Sequence, residues 1–229
     1  MTATSPIQTQ SQQLPAWKRA TWDEYVRLRD HYEASDISRV KLFYHDRALL
    51  VDDMGWEGTN HAVVRGLFEY ILLFWFAQHS QEKVTALGGA LFEKDGKGAG
   101  SPDLVIYIGE GYPKWIEGET RKIDLNQWRV PDLVGEISDT TLASDLDQKK
   151  RLYASLGIAE YWVVDVKGSQ VFFFRLDDRG QYYETQSSSA LEGLATSLLE
   201  ETLSKLEEMT SMDAALWFQK QIAQEGKNV

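Results

Sequence analysis

Three strongly apolar segments in the middle of the chain each contain one charged residue, and these residues constrain the fold more than any other feature. Residues 132–138 alternate in polarity as a strand does, and Glu136 lies in the middle of that strand, where glutamate is depleted. Residues 103–108 predict a second strand, which Asp103 opens. Because a buried carboxylate is costly unless it is paired or bound to metal, each strand is either half exposed or part of a charged site.

The third charged residue, Lys149, lies on a helix predicted between a cap at Ser144 and an end at Gly157. The apolar residues of this helix recur at spacings of four, seven and three and form one inward stripe: Leu142, Leu146, Tyr153 and Leu156. Lys149 lies on that stripe, so it either extends to solvent along its aliphatic stem or meets an anion inside the protein. Asp145 is one turn earlier, which makes an i,i+4 ion pair available as well.

Helix and strand patterns elsewhere place these segments in a larger fold. Thr21 and Glu24 form a capping box, which predicts a helix that ends near residue 33. Thr59 or Asn60 is the predicted cap of a largely apolar helix that ends near residue 79. The remaining predictions are strands at 40–44, 48–51, 84–92, 161–165 and 171–176, and helices at 197–209 and 213–224.

This order of elements predicts the α/β fold class, of the α+β mixed-sheet kind, with a central mixed β-sheet flanked by helices. The 229 residues and the 43% hydrophobic content suit one large domain. We expect a disordered tail over residues 1–15, the domain itself over residues 16–203, and a C-terminal helical extension over residues 204–229.

Composition excludes several kinds of site. The chain has no cysteine, so disulfides, thiolate zinc sites and cysteine nucleophiles are excluded. It shows no targeting segment, and its most apolar stretch is far shorter than the roughly 20 residues that span a bilayer. We therefore expect no membrane association and a cytoplasmic location.

The formal net charge of −11 requires an uneven charge distribution if the protein binds DNA, because broad nucleic-acid-binding faces are usually basic. We expect a basic rim around the acidic residues. Its candidate members are Lys114, Arg121, Lys122, Arg129, Lys149, Lys150 and Arg151.

Asp103, Glu136 and Lys149 together suit phosphodiester hydrolysis. Two carboxylates on neighbouring strands can hold one hard divalent cation. A nearby lysine can orient or deprotonate a water, or stabilise negative charge on a phosphate. We therefore expect both carboxylates to lie on the same side of the sheet and Lys149 to point at them.

Three sequence segments resemble one known family: SPDLVIY, VPDLVGEIS and DLDQKKRLYASLGIAEYWVVD. Together they resemble the Uma2 family, also called DUF820, a group of restriction-endonuclease-like proteins abundant in cyanobacteria. The resemblance extends from about residue 22 to residue 203. It implies the PD-(D/E)XK nuclease superfamily, a restriction-endonuclease-like core, and a DNA endonuclease that uses Mg²⁺ or Mn²⁺.

The resemblance also implies roles for individual residues. Asp103 corresponds to the acid of the PD half-motif, and Glu136 to the second acid, so these two would bind the metal. The superfamily places a lysine two residues after the second acid, where this chain has Ser138. The resemblance implies that this lysine has moved to Lys149. The expected supporting residues are His61, Asp145 and Tyr153.

The sequence is also compatible with two other hypotheses. The chain could be a catalytically inactive nuclease fold that binds DNA or a protein partner, which the acidic charge and the displaced lysine favour. Alternatively, the three charged residues form surface pairs with no role in a site. A homodimer would suit cleavage of both strands of a duplex.

Overall fold

The structure, a computed structural model, describes residues 16–35, 40–53, 58–80, 82–114, 116–118 and 122–225. The predicted tail at residues 1–15 lies outside this part of the chain. The described strands are β1 (Lys18–Arg19), β2 (Val40–His45), β3 (Ala48–Asp53), β4 (Val84–Leu87), β5 (Phe92–Lys94), β6 (Gly98–Gly100), β7 (Leu104–Ile108), β8 (Ile123–Asp124), β9 (Leu133–Ser138), β10 (Glu160–Asp165), β11 (Gln170–Leu176) and β12 (Tyr182–Thr185).

The described helices are α1 (Trp22–Ala34), α2 (Thr59–His79), α3 (Leu142–Ser144), α4 (Lys150–Leu156), α5 (Thr196–Ser204) and α6 (Ser211–Glu225). A π-helical turn, Asp145–Lys149, joins α3 to α4, and a short 3₁₀ turn, Lys205–Glu207, follows α5. No helix in these ranges is long and apolar enough to cross a membrane.

The strands form two mixed sheets. The first has the order β1-β3-β2-β6-β5-β8, and the second has the order β12-β11-β10-β9-β7-β4. In the second sheet, β9 and β10 are parallel and the other pairs are antiparallel. The predicted mixed fold is therefore confirmed, although the chain builds two sheets where one was expected.

The two faces of the second sheet pack differently. One face, which includes Ile137, packs against α2, α5 and α6. The opposite face, which includes Val134, packs against α4 and against Phe43 and Leu50 of the first sheet. Strand alternation therefore places Glu136, the neighbour of Ile137, on the face that looks toward α4 and the β2–β3 hairpin.

Most predicted elements are present, with shifted ends. The Thr21–Glu24 capping box and the β2–β3 hairpin are confirmed. The predicted strand at 84–92 is wrong as a single element, because β4 belongs to the second sheet and β5 to the first. The chain changes sheets at Gly88 and Gly89, where Gly89 has a φ of 67°.

Two predicted helix caps are also wrong. Gly58 is the N-cap of α2, so Thr59 and Asn60 already lie within the helix. The helical segment that carries Lys149 begins at Leu142, two residues before the predicted cap Ser144. The Ser144 hydroxyl instead accepts a hydrogen bond from Trp17 Nε1 at 2.8 Å.

Gly98 and Gly100 allow α4 to lie directly on β6. A Cβ at Gly98 would lie 2.8 Å from Leu152 Cδ1, and a Cβ at Gly100 would lie 3.1 Å from Tyr153 Cε1. A side chain at either position would force Leu152, Tyr153 or the helix itself to shift. These two glycines therefore permit close packing of α4, which carries Tyr153, on β6.

Candidate active site

The structure brings the three sequence-predicted residues together between the second sheet and the helical segment α3–α4. Asp103 lies directly before β7, Glu136 lies on β9, and Lys149 ends the π-helical turn. All three are buried, with 3%, 1% and 2% of their surface exposed. The surface-pair hypothesis is therefore wrong for these residues.

Asp103 is held by three groups from three different elements. Lys41 Nζ, from β2, donates to Oδ1. His61 Nε2, from α2, lies 3.2 Å from Oδ2, and the Ile137 backbone N–H donates to the same oxygen at 2.9 Å. Burial opposes ionisation of Asp103, but Lys41 and His61 outweigh it and hold its pKa well below the ordinary value.

Glu136 is held by Lys149 and Tyr153. Lys149 Nζ donates to Oε2 at 3.1 Å, and the Tyr153 hydroxyl donates to Oε1. Burial raises the pKa of Glu136 to about 7, because the attraction of Lys149 is partly offset by the negative charges of Asp103 and Asp145. Burial therefore outweighs the attraction of Lys149, which favours the ionised form of Glu136.

Lys149 lies between two buried carboxylates. Its ammonium is 2.8 Å from Asp145 Oδ1 as well as 3.1 Å from Glu136, and it lies 4.2 Å from the centre of the Phe43 ring. Burial disfavours the charged ammonium, but the two carboxylates outweigh burial and hold the pKa of Lys149 above its ordinary value. The prediction that Lys149 points at the two acids Asp103 and Glu136 rather than into solvent is confirmed for Glu136, and its second ion pair is with Asp145.

Asp145, an expected supporting residue, lies in the same buried group. Its Oδ2 accepts hydrogen bonds from the Ser138 hydroxyl and, at 2.7 Å, from Thr141 Oγ1. Ser138 stands where the superfamily pattern expects a lysine. Here it instead anchors the carboxylate that pairs with Lys149.

Sequence reasoning missed two residues of this cluster, Lys41 and Asp52. They are directly opposed in the β2–β3 register and lie on the same face as the Phe43–Leu50 pair, which faces the second sheet. Burial raises the pKa of Asp52, against the opposing effects of Lys149 and Lys41. Alternation along the predicted hairpin could have placed both residues on the inward face, but only the packing of the two sheets shows that this face meets Asp103.

The cluster carries more negative than positive charge. When ionised, its four carboxylates carry four negative charges, and two lysines supply two positive ones. His61 adds a positive charge only when it is protonated. The carboxylates are Asp52, Asp103, Glu136 and Asp145, and the lysines are Lys41 and Lys149.

Several of the basic residues expected to form a rim have partners within the protein. Lys122 pairs with Glu93, Arg129 pairs with Asp132 at 2.8 Å, and Arg151 pairs with Asp147 at 2.8 Å. Lys150 lies 3.7 Å from the centre of the Phe174 ring, and Lys114 lies 5.7 Å from that of Tyr112. Arg121 lies outside the described residues. A DNA phosphate would compete with these carboxylate and aromatic partners for the lysine and arginine side chains.

The fold is a mixed α+β fold, with two mixed sheets and packed helices. It is similar to the crystal structure of a putative nuclease belonging to DUF820 from Anabaena variabilis ATCC 29413, with a TM-score of 0.50. The sequences are 15% identical, and the similarity covers 86% of this chain and 98% of that chain. At this identity the similarity establishes the fold alone.

The chain belongs to the Uma2 family, because the model of that family, described as "Putative restriction endonuclease", matches residues 22–214. None of the curated proteins matches the sequence. The family resemblance read from the three sequence segments is thereby confirmed, and its predicted span ends 11 residues before the matched region does.

Proposed function

We propose that this protein is a metal-dependent endonuclease that hydrolyses phosphodiester bonds in DNA. Its site has Asp103, Glu136 and Lys149 at the centre. The observation that carries the proposal is the cluster of charged residues itself, in which carboxylates outnumber lysines by two. The Uma2 family description and the nuclease-like fold support the same reading.

Asp103 and Glu136 are the residues proposed to hold Mg²⁺ or Mn²⁺. Among the described residues, no three histidine or acidic side chains already converge as a metal-binding group. The donor set nevertheless fits a hard divalent cation, since its ligands are carboxylate oxygens and the cluster contains more carboxylates than lysines. When bound, the cation supplies Lewis-acid stabilisation of the phosphate and a more acidic water.

The other residues of the site orient these two acids. His61 and the Ile137 backbone N–H fix Asp103 Oδ2, and the Tyr153 hydroxyl fixes one oxygen of Glu136. Lys149 favours the ionised form of Glu136, which is the form that binds a cation. Asp145 holds Lys149 in place.

Plasmid cleavage tests the proposal. The wild-type protein should nick or linearise supercoiled DNA in the presence of Mg²⁺ or Mn²⁺, and Asp103→Asn should lower the rate by about 100-fold or more, since the site loses a charged ligand. Asp147→Asn, an exposed position in the same protein, is the matched control and should cleave as the wild type does. Equal cleavage by wild type and Asp103→Asn would point to a contaminating nuclease and refute the assignment.

The second candidate function is an inactive nuclease fold that binds DNA or a protein partner. One observation favours it: both oxygens of Asp103 already accept contacts from Lys41, His61 and the Ile137 N–H. In that case metal would change neither cleavage nor stability, and the wild type would be inactive with every divalent ion tested.

The proposed assembly is a homodimer formed through α2. Val63, Gly66, Tyr70 and Leu73 follow the three–four spacing of a helix-packing seam, and the side chains of Val63, Tyr70 and Leu73 are 38%, 36% and 62% exposed. If two copies pack with α2 antiparallel and the two-fold axis near residue 68, each Tyr70 faces the open space at the other copy's Gly66. The stripe is thus self-complementary.

A further inference from the structure

The charged cluster has an inner and an outer part. The inner part consists of Glu136, Asp145, Lys149 and Tyr153, and it is enclosed by β9, the α3–α4 segment and the Phe43 ring. The outer part consists of Lys41, Asp52, His61 and Asp103. Lys41 and Asp52 lie on the same face of the β2–β3 hairpin as Phe43 and Leu50, which are fully buried. Each is two residues farther from the hairpin turn than Phe43 or Leu50.

Lys149 is unsuited to contact a substrate. Only 3% of its side chain is exposed, and its ammonium already lies within 3.1 Å of two buried carboxylates. If it moved toward a phosphate, Glu136 and Asp145 would lose their shared cation in a buried environment, which is strongly unfavourable. Its position is therefore fixed by the acids that it neutralises.

Lys41 has the opposite properties. It contacts one carboxylate oxygen, Asp103 Oδ1, and 13% of its side chain is exposed. The other oxygen of Asp103 keeps His61 and the Ile137 N–H when Lys41 moves. A cation that takes over the negative charge of Asp103 therefore leaves the Lys41 ammonium available at the outer side of the site.

We infer that Lys41, and not Lys149, is the lysine that contacts the phosphate at which the DNA strand is cut, and that Lys149 is a positioning residue. This assignment rests on the proposed nuclease function. Lys41 donates hydrogen bonds to a non-bridging phosphate oxygen and keeps its proton throughout. In the reaction one water forms a bond to phosphorus, the bond to one bridging sugar oxygen breaks, and that oxygen takes up a proton while the new phosphate monoester releases one.

Paired lysine variants test the assignment on an oligonucleotide duplex. Lys41→Met should lower kcat by about 100- to 1,000-fold, as the loss of one transition-state donor does. It should lower the melting temperature by less than Lys149→Met does, because Asp103 loses one cation but keeps His61 and the Ile137 N–H. Lys41→Arg should recover part of the rate, because it restores a charged donor. Lys149→Met should lower the melting temperature markedly, because it leaves two buried acids unpaired.

DNA binding in Ca²⁺ provides a second readout that does not depend on turnover. Loss of one phosphate contact should reduce the slope of log affinity against log salt by about 1 for Lys41→Met. Lys97→Met, an exposed lysine on the turn before β6, should keep the wild-type slope. Wild-type kcat and salt slope in Lys41→Met would overturn the assignment, and so would loss of cleavage in a Lys149→Met protein of unchanged stability.

If the protein is not a nuclease, the binding and cleavage results differ from those expected for a wrong assignment of Lys41. If the wild type binds DNA without cleaving it, the nuclease proposal fails, and the salt slope alone then decides whether Lys41 contacts a phosphate. If the wild type neither binds nor cleaves DNA, the assignment of Lys41 falls together with the proposed function.

Discussion

Glu136 makes the stability of the metal-free protein depend on pH. Its pKa is raised from the ordinary 4.5 to about 7, so between these values the folded protein holds a proton that the unfolded chain has lost. The contribution of Glu136 to the free energy of unfolding therefore falls as the pH rises from 4.5 to about 7 and is constant above that range, with a total change of up to about 3 kcal/mol.

Glu136→Gln should remove this part of the pH dependence, because glutamine is neutral at every pH. The variant should gain stability relative to the wild type as the pH rises through this window, measured by urea denaturation. Asp52, whose pKa burial also raises, keeps a slope of the same sign in both proteins. Parallel stability profiles for the two proteins would show that Glu136 has an ordinary pKa in the folded state.

The charged residues of the site differ in how readily the sequence revealed them. Asp103, Glu136 and Lys149 were identifiable because each interrupts an apolar pattern, which is unfavourable without a partner. Lys41 and Asp52 are next to ordinary hairpin residues, so nothing local marks them. They enter the site because the β2–β3 hairpin packs against the second sheet, a contact that strand alternation does not predict.

Among the structural elements, the α3–α4 segment contributes most side chains to the site. Its π-helical turn carries both Asp145 and Lys149, which are buried, whereas Asp147 between them is exposed and pairs with Arg151. The α3–α4 segment therefore contains one buried ion pair and one exposed ion pair. Their contributions to the free energy of unfolding can be compared in matched variants.

Asp145→Ala should lower the free energy of unfolding by about 3–5 kcal/mol, because it leaves the Lys149 ammonium short of a partner in a buried site. Asp147→Ala should lower it by about 1 kcal/mol or less, since exposed pairs are screened by water. Urea denaturation of the two variants under identical conditions measures the difference. Similar small losses for both would mean that Lys149 does not depend on Asp145.

Long elements were easier to predict than short ones. The helix α2, the β2–β3 hairpin and the strands β7, β9, β10 and β11 have enough residues for a clear periodicity. The two- to four-residue strands β1, β6, β8 and β12 do not, and they are defined by their partners in the sheets. The division of residues 84–92 between two sheets likewise depends on tertiary packing.

At the scale of the whole molecule, the exposed stripe on α2 is the feature that the monomer does not explain. A 21-residue helix that is apolar on most sides is usually buried, yet Leu73 is 62% exposed. Its self-complementary spacing supports the proposed homodimer, which would present two sites to the two strands of a duplex.

Leu73→Glu should convert the dimer to a monomer, because it buries two like charges at the proposed interface. Sedimentation equilibrium measures the mass directly. Tyr183→Glu, at another exposed apolar residue, is the control and should leave the mass unchanged. A wild-type protein that is monomeric at all accessible concentrations, or a Leu73→Glu protein that remains dimeric, would contradict the interface.

The location of a bound metal shows whether Asp103 and Glu136 form a metal site. A crystal soaked in Mn²⁺ should show an anomalous-scattering peak within about 2–2.5 Å of a carboxylate oxygen of both Asp103 and Glu136, with Lys41 displaced from Asp103 Oδ1. The Asp103→Asn protein, soaked in the same way, should lack this peak. A wild-type crystal in which Lys41 stays on Asp103 and no manganese lies between the two acids would contradict the metal-dependent site.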